Sequence, residues 1–342
     1  MRLQAPVSWE DLNSRARGLS GRLLTRAQLH SLAESSDLPA LAEALSTLGY
    51  LPSDLAGTVS PEALDLASRR LAGARLETLA RWARGRAAPL AVVFEDEDRR
   101  SLRALLRGAV QGASAELRTA GLIPTPRLPE RVLEELARLG SPGAIAALLV
   151  SWGDPYGSAV LREARSPQPD LFRLETAVNR TYASRALAAA RRGGRRLVAY
   201  VQDSIDLENA AAVLGLVGQG SDVPSGECFL VGGVRLDRKA FEAATALDDL
   251  EAVLKRLVRV FAHTPYAAVF ESRAGDPEAM EQAWLETRIE ALFRDARREP
   301  LGPAPLLLYG LRLRREVTVL RRVIWGVALG APGGELAGGE AG

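Results

Sequence analysis

"EVTVLRRVIWGVALG", residues 316–330, repeats a phrase already written as "DRRSLRALLRGAVQG" at residues 98–112. An acid stands first in both, Leu-Arg fills the fifth and sixth places, and glycine the eleventh and fifteenth. In the earlier copy Leu102, Leu105, Leu106 and Ala109 fall at i, i+3, i+4 and i+7, one stripe of an α-helix. The matching positions near the end are Leu320, Val323, Ile324 and Val327, and a third copy supplies Ala210, Val213, Leu214 and Val217. The leading acids are Asp98, Asp206 and Glu316. An acid suits a helix N-terminus, where it faces unpaired N–H groups and the positive end of the dipole, so the spacing predicts three helix starts there. Gly112, Gly220 and Gly330 stand where those helices would stop.

Other blocks recur in the same order. Leu41, Leu45 and Leu48 match Ile145, Leu149 and Trp152, then Val253, Leu257 and Val260, and a tyrosine follows each set: Tyr50, Tyr156, Tyr266. Between the two blocks lies a long helix with clear punctuation, from Ser60-Pro61 to Gly85, from Asp170 to Gly193-Gly194, and from Asp276-Pro277 to Pro300. Three helical modules are expected at 19–121, 122–228 and 229–330, after an N-terminal segment 1–18 and before a flexible Gly-rich tail 331–342. Such modules exceed the period of common helical repeats, which favours an all-α body with pseudo-threefold symmetry over an open solenoid. The runs "RLVAYVQD" (196–203) and "ECFLVGGVRL" (227–236) are β-compatible, and the second reads as a loop with at most a small hairpin.

Composition agrees with a folded helical protein. Hydrophobic residues make up 47% and charged residues 25% of 342, and aromatics only 5%. Forty-four basic residues against 42 acidic ones argue against a dedicated nucleic-acid binder, which needs an excess of cations on one face. Cys228 stands alone, so no intramolecular disulfide is possible and a reducing compartment is expected. No apolar run approaches the roughly 20 residues that span a bilayer, and the N-terminus lacks an apolar signal core.

Reactive chemistry is hard to find. Neither lysine, Lys239 or Lys255, follows a glycine, so a Walker-type loop is missing; "GLVGQG" (215–220) has its glycines in the wrong order for a dinucleotide fingerprint. His30 and His263 lie in different modules, and one cysteine cannot complete a zinc site. No GxSxG elbow is present. "FEDEDRR" (94–100) is the densest acidic run; it reads as an acidic first helical turn rather than a divalent-cation site. The basic runs carrying Arg191, Arg192, Arg195 and Arg196, and Arg312, Arg314 and Arg315, suit solvated helix ends first and an interface for an acidic protein next, with an anionic lipid surface or nucleic acid as further partners of the same charge. No catalytic, cofactor-binding or metal-ligating residue emerges, and no small-molecule substrate is implied.

With the modules in place, the chain resembles the C subunit of archaeal and bacterial V-type/A-type ATPases (ATP synthases), whose eukaryotic counterpart is the V-ATPase d subunit. The opening "RARGLSGRLLTRAQLHSLAESSDLPALAEALSTLGY" (15–50) is similar to that family's first segment through Leu29, Leu32, Asp37, Leu38, Leu41, Leu45 and Tyr50. "LETAVNRTY" (174–182) and "DSIDLENAAAVL" (203–214) resemble its middle motifs, the second through Asp206 and Asn209. Tyr309, Glu316, Arg321, Ile324 and Gly326 follow its closing helix, while Val319, Val327 and Asn179 depart from its usual Asn, Lys and Asp. The resemblance implies a non-catalytic rotor part shaped as a funnel of three helical domains, with no cofactor. Its implied partners are the central stalk and the membrane proteolipid ring, at the cytoplasmic face of the membrane. A general helical interaction scaffold explains the composition and repeats but not the order of these motifs.

Overall fold

The computed structural model describes residues 10–50, 59–83, 88–166, 169–219, 224–247, 249–272 and 277–333. Among the described residues there are seventeen α-helices and no strand. Six are long: α4 (Pro61–Ala83), α5 (Ala88–Val110), α10 (Leu171–Gly193), α11 (Arg195–Gln219), α16 (Pro277–Arg298) and α17 (Ala304–Leu329). The rest are short: α1 (Glu10–Ser20), α2 (Arg26–Ala33) and α3 (Leu38–Thr47) before the first long pair; α6 (Ala115–Thr119), α7 (Glu130–Ala137), α8 (Pro142–Ser151) and α9 (Gly157–Glu163) before the second; α12 (Ser225–Cys228), α13 (Arg238–Thr245), α14 (Leu250–Val260) and α15 (Tyr266–Ser272) before the third.

Local chemistry explains the short helices. Thr25 and Gln28 form a reciprocal capping box at α2, and Asp37, Ser141, Asp237 and Asp249 each accept a backbone N–H at the start of α3, α8, α13 and α14. Each such cap contributes about 1 kcal/mol. The punctuation of the long helices holds at Pro61, at Asp170, which caps α10, and at Gly194, which separates α10 from α11 with a φ of 92°. Gly112 and Gly330 adopt left-handed backbone just past α5 and α17. Gly85, Gly220, Asp276 and the tail beyond residue 333 lie outside the described residues.

Two sequence expectations are corrected. The acids Asp98, Asp206 and Glu316 do not start helices; each sits in the middle of a long one. The helices begin upstream, at Ala88-Pro89, just after Gly194, and after Pro303, because apolar helical spacing runs unbroken through those lead-in segments. "FEDEDRR" is therefore a mid-helix run, with Glu95, Asp96, Glu97, Asp98 and Arg99 all buried. "RLVAYVQD" is also helical, in α11, where Leu197, Val201 and Ile205 are buried at helical spacing. Residues 229–236 are turns and irregular chain, as the glycine pair suggested.

Packing follows a rule that the repeats alone do not reveal. The closing long helix of each repeat lies against the short helices of the next: α5 against α7 and α8, α11 against α13 and α14, and α17 against α2 and α3. The last contact joins the two ends of the chain. Buried clusters reflect this. Leu24, Leu29, Leu32, Leu41 and Leu45 share a core with Val319, Leu320, Val323 and Ile324, and Leu207, Val213 and Leu216 share another with Phe241, Val253 and Leu257. A larger core joins α5, α7, α8 and α10 to the first halves of α11 and α17.

Candidate functional site

Each repeat-leading acid is a clamp on the lead-in to a short helix. Asp206, fully buried, accepts the backbone N–H groups of Val234 and Arg235 (3.0 Å each) and Leu236 (3.1 Å), immediately before the α13 cap Asp237. Asp98 accepts from the Thr125 hydroxyl (2.5 Å) and from Arg127 Nε (2.8 Å), just before α7. Glu316 accepts from the backbone N–H of Leu24, next to the α2 cap Thr25, from Tyr50 Oη (3.2 Å) and from Arg75 Nη1 (2.6 Å). Three acids from three closing helices thus hold three successive entries. A carboxylate receiving several N–H or guanidinium donors in a dry site is held more firmly than by neutral hydrogen bonds.

The neighbouring repeat positions vary. Asn209 exchanges hydrogen bonds with the backbone of Leu230, at 2.8 and 2.9 Å. Val319 is buried in apolar company instead, so the departure from Asn trades a backbone anchor for a packing contact. Asn179 stands within 3.2 Å of Arg99 and 3.4 Å of Glu208, bridging them. Val327 packs on the α2–α3 core. Arg321 reaches the carbonyl of Ala120 at 3.4 Å, beside Gly121, whose left-handed φ of 73° favours glycine.

Burial pushes the Asp98 carboxyl up to about 6, against the pull of Arg127 and the Thr125 hydrogen bond. Burial likewise raises Glu316 despite Arg75. For Asp98 the folded value lies above the ordinary one, so the folded chain holds a proton that the unfolded chain has released between about pH 4 and 6. That contribution to stability is complete below the window and is lost as pH rises through about 6. Asp98→Asn is expected to flatten this dependence, which amounts to on the order of 2–3 kcal/mol, in urea unfolding compared at about pH 4.5 and about pH 7. An unaltered pH slope in the variant would assign the effect elsewhere.

A second polar cluster lies where α5, α10, α11, α16 and α17 meet. Asp96 accepts from Arg99 (2.8 Å) and Arg314 (3.0 Å), Arg314 also pairs with Glu97 (Nε–Oε1 2.9 Å), and Arg99 reaches Glu208 at 2.5 Å. Arg103 bridges Glu175 (2.7 Å) and Glu208 (3.2 Å). Arg99 stacks on Tyr182, and Arg288 stacks on Tyr200 while donating to Ser204 Oγ at 2.7 Å. Burial pushes Asp96 up, but Arg100, Arg314 and Arg99 together hold its carboxyl well below the usual range. A carboxylate paired in this way is no base for proton abstraction; its ion pairs and those of its neighbours link α5, α10, α11 and α17.

The candidate interface arginines separate sharply. Arg191, Arg192, Arg195 and Arg196 are exposed at the α10–α11 turn, Arg196 pairing with Glu299. Arg312 stacks on Phe293 and Arg315 pairs with Glu286 at 3.1 Å, both half-buried. Arg314 does not belong with them: it is 8% exposed and committed to Asp96 and Glu97. The run "RLRR" reads as a patch, but a helix turns its third residue inward, in line with Leu307, Leu311 and Val317.

His30 is exposed and lies 3.5 Å from Glu34. Among the described residues no group of three or more His, Cys, Asp or Glu side chains could hold a metal, and no helix is long and apolar enough to cross a membrane. Cys228 is buried, which pushes its thiol up. His263 holds a left-handed φ of 65° after α14, where Gly49 and Gly153 do the same work after α3 and α8. His263→Gly is expected to stabilise the chain by about 0.5–1 kcal/mol, read from the urea midpoint, because glycine carries no Cβ penalty there.

A search of curated proteins found no match to this chain. The family model described as ATP synthase (C/AC39) subunit matches residues 12–336, a span that takes in all three clamping acids and all three closing helices. The chain therefore belongs to the ATP synthase C/AC39 family, which holds the C and d subunits of V/A-type ATPases.

Proposed function

We propose that this chain is a non-catalytic rotor subunit of a V/A-type rotary ATPase, seated at the cytoplasmic mouth of the proteolipid ring and receiving the central stalk. In this reading the modules 19–121, 122–228 and 229–330 surround a pseudo-threefold axis as a funnel, and torque passes through them during proton or sodium transport. The observation that carries the reading is the closed circuit of clamps, in which Glu316 on the last helix grips Leu24, Tyr50 and Arg75 at the beginning of the chain. An open stack of helices yields at its ends under twist; a closed one has no free end to unwind. Dense interior packing resists deformation further.

Reconstitution with the stalk and the ring tests it. With the chain present, ATP turnover and ion transport should be coupled; without it, hydrolysis should persist while transport is lost. Failure to bind either partner would reject the rotor role. The exposed arginines at the α10–α11 turn give a finer test. R191E/R192E/R195E spares Arg196 and its Glu299 partner, and should weaken association with stalk or ring by about tenfold or more at moderate salt. Unchanged assembly and pumping would remove that turn from the interface.

A further inference from the structure

The outward side of α14 carries a cleft of about 510 Å³ lined by Leu247, Ala252, Lys255, Arg256, Arg259 and Val260. Three of its six described lining residues are cations; no described lining residue is a carboxylate, although Glu251 and Asp249 stand near Lys255. Lys255 meets Glu251 at 2.6 Å, but both side chains are about two-thirds exposed or more, so the pair binds loosely and leaves the cation available. Arg256 is half-buried, and its Nε has no hydrogen-bond partner among the described residues.

The repeats show that the fold does not require these charges. At the corresponding positions the second module has Ala147, Leu148, Ser151 and Trp152, and the first has Glu43, Ala44, Thr47 and Leu48. Both build the same short helix, with Leu149 and Leu45 buried as Leu257 is. The negative dipole end of α14 accounts for Arg259 in the last turn, but not for adjacent Lys255 and Arg256 with an unsatisfied donor.

We infer that this face of α14 is a docking site for an acidic amphipathic helix of a partner protein. Carboxylates spaced three and four residues apart would meet Lys255, Arg256 and Arg259, and the apolar side of the same helix would cover Leu247, Ala252 and Val260. A free anion would leave that apolar floor uncovered. Charge sets the entry and orientation of the partner helix, and the apolar contacts hold it.

This docking site is independent of the rotor role, and so is its test. A fluorescent synthetic amphipathic helix of glutamate and leucine is titrated into the full chain and followed by anisotropy. Binding that weakens with salt is expected, with affinity reduced at least about tenfold in K255E/R256E/R259E and restored when lysine replaces glutamate in the peptide. The milder K255Q/R256Q/R259Q, checked for an unchanged unfolding midpoint, should show a smaller loss in the same direction. Three results overturn the inference. They are no binding at low salt, equal binding by the reversed variant, and retention on phosphatidylserine vesicles through the same three residues while the peptide fails to bind.

Discussion

Arg314→Met is expected to destabilise the chain by about 3–5 kcal/mol, because the substitution strips a buried ion cluster of one member and leaves the others in place. Among the described residues Glu97 receives both of its hydrogen bonds from Arg314, so its carboxylate would lose them together in a dry site. Asp96 would fare better, retaining Arg99 and Arg100. The double change R314M/E97Q should recover much of the loss, since a neutral amide at 97 carries a far smaller desolvation cost while Asp96 keeps its ionised partners Arg99 and Arg100. Arg312→Met, in the same run but without a described ion pair, should change stability by about 0.5 kcal/mol or less. Urea unfolding of the three variants separates these outcomes; equal behaviour of the two single variants would refute the inward role of Arg314.

Asp206→Ala is the second large effect, also about 3–5 kcal/mol, since three backbone N–H groups lose a charged acceptor at once. Its consequence should be local before it is global. Hydrogen exchange is expected to accelerate at Val234, Arg235 and Leu236 and along α13, while α7 and α8, entered through Asp98, keep their protection. Asp206→Asn retains two lone pairs and should fall between the alanine variant and the native chain. The crowding at Gly233 gives a complementary route: a Cβ there would collide with Asp206 Oδ1, so Gly233→Ala should loosen the same clamp without touching the acid. If Asp206→Ala leaves the exchange of residues 234–236 unchanged, the clamp contributes nothing.

The long helices are legible in the sequence because their ends carry local chemistry. Pro61, Asp170 and Gly194 act on their own turn of backbone, and a window of a few residues displays everything that decides the boundary. The three acids are legible as a repeat but not as clamps. Their partners lie about 27 to 30 residues further on for Asp98 and Asp206, and for Glu316 near the beginning of the described chain; no periodicity in one segment encodes the hydrogen-bond needs of another. Arg314 misleads for a different reason. Composition over four residues suggests surface, whereas its phase relative to Leu307, Leu311 and Val317 points inward. The unequal faces of α3, α8 and α14 are likewise spelled out in the residue types, with Lys255, Arg256 and Arg259 standing where α8 has Ala147, Leu148 and Ser151.

The closure of the circuit by α17 has a consequence for biosynthesis. A ribosome delivers α2 and α3 long before the helix that completes their core. Until Val319, Leu320, Val323 and Ile324 clear the exit tunnel, Leu29, Leu41 and Leu45 lack part of their cover. Nascent chains therefore carry an unfinished apolar seam until α17 emerges, the state that holdase chaperones recognise. A message truncated before the codon for Ala304 would yield a polypeptide that keeps this seam permanently.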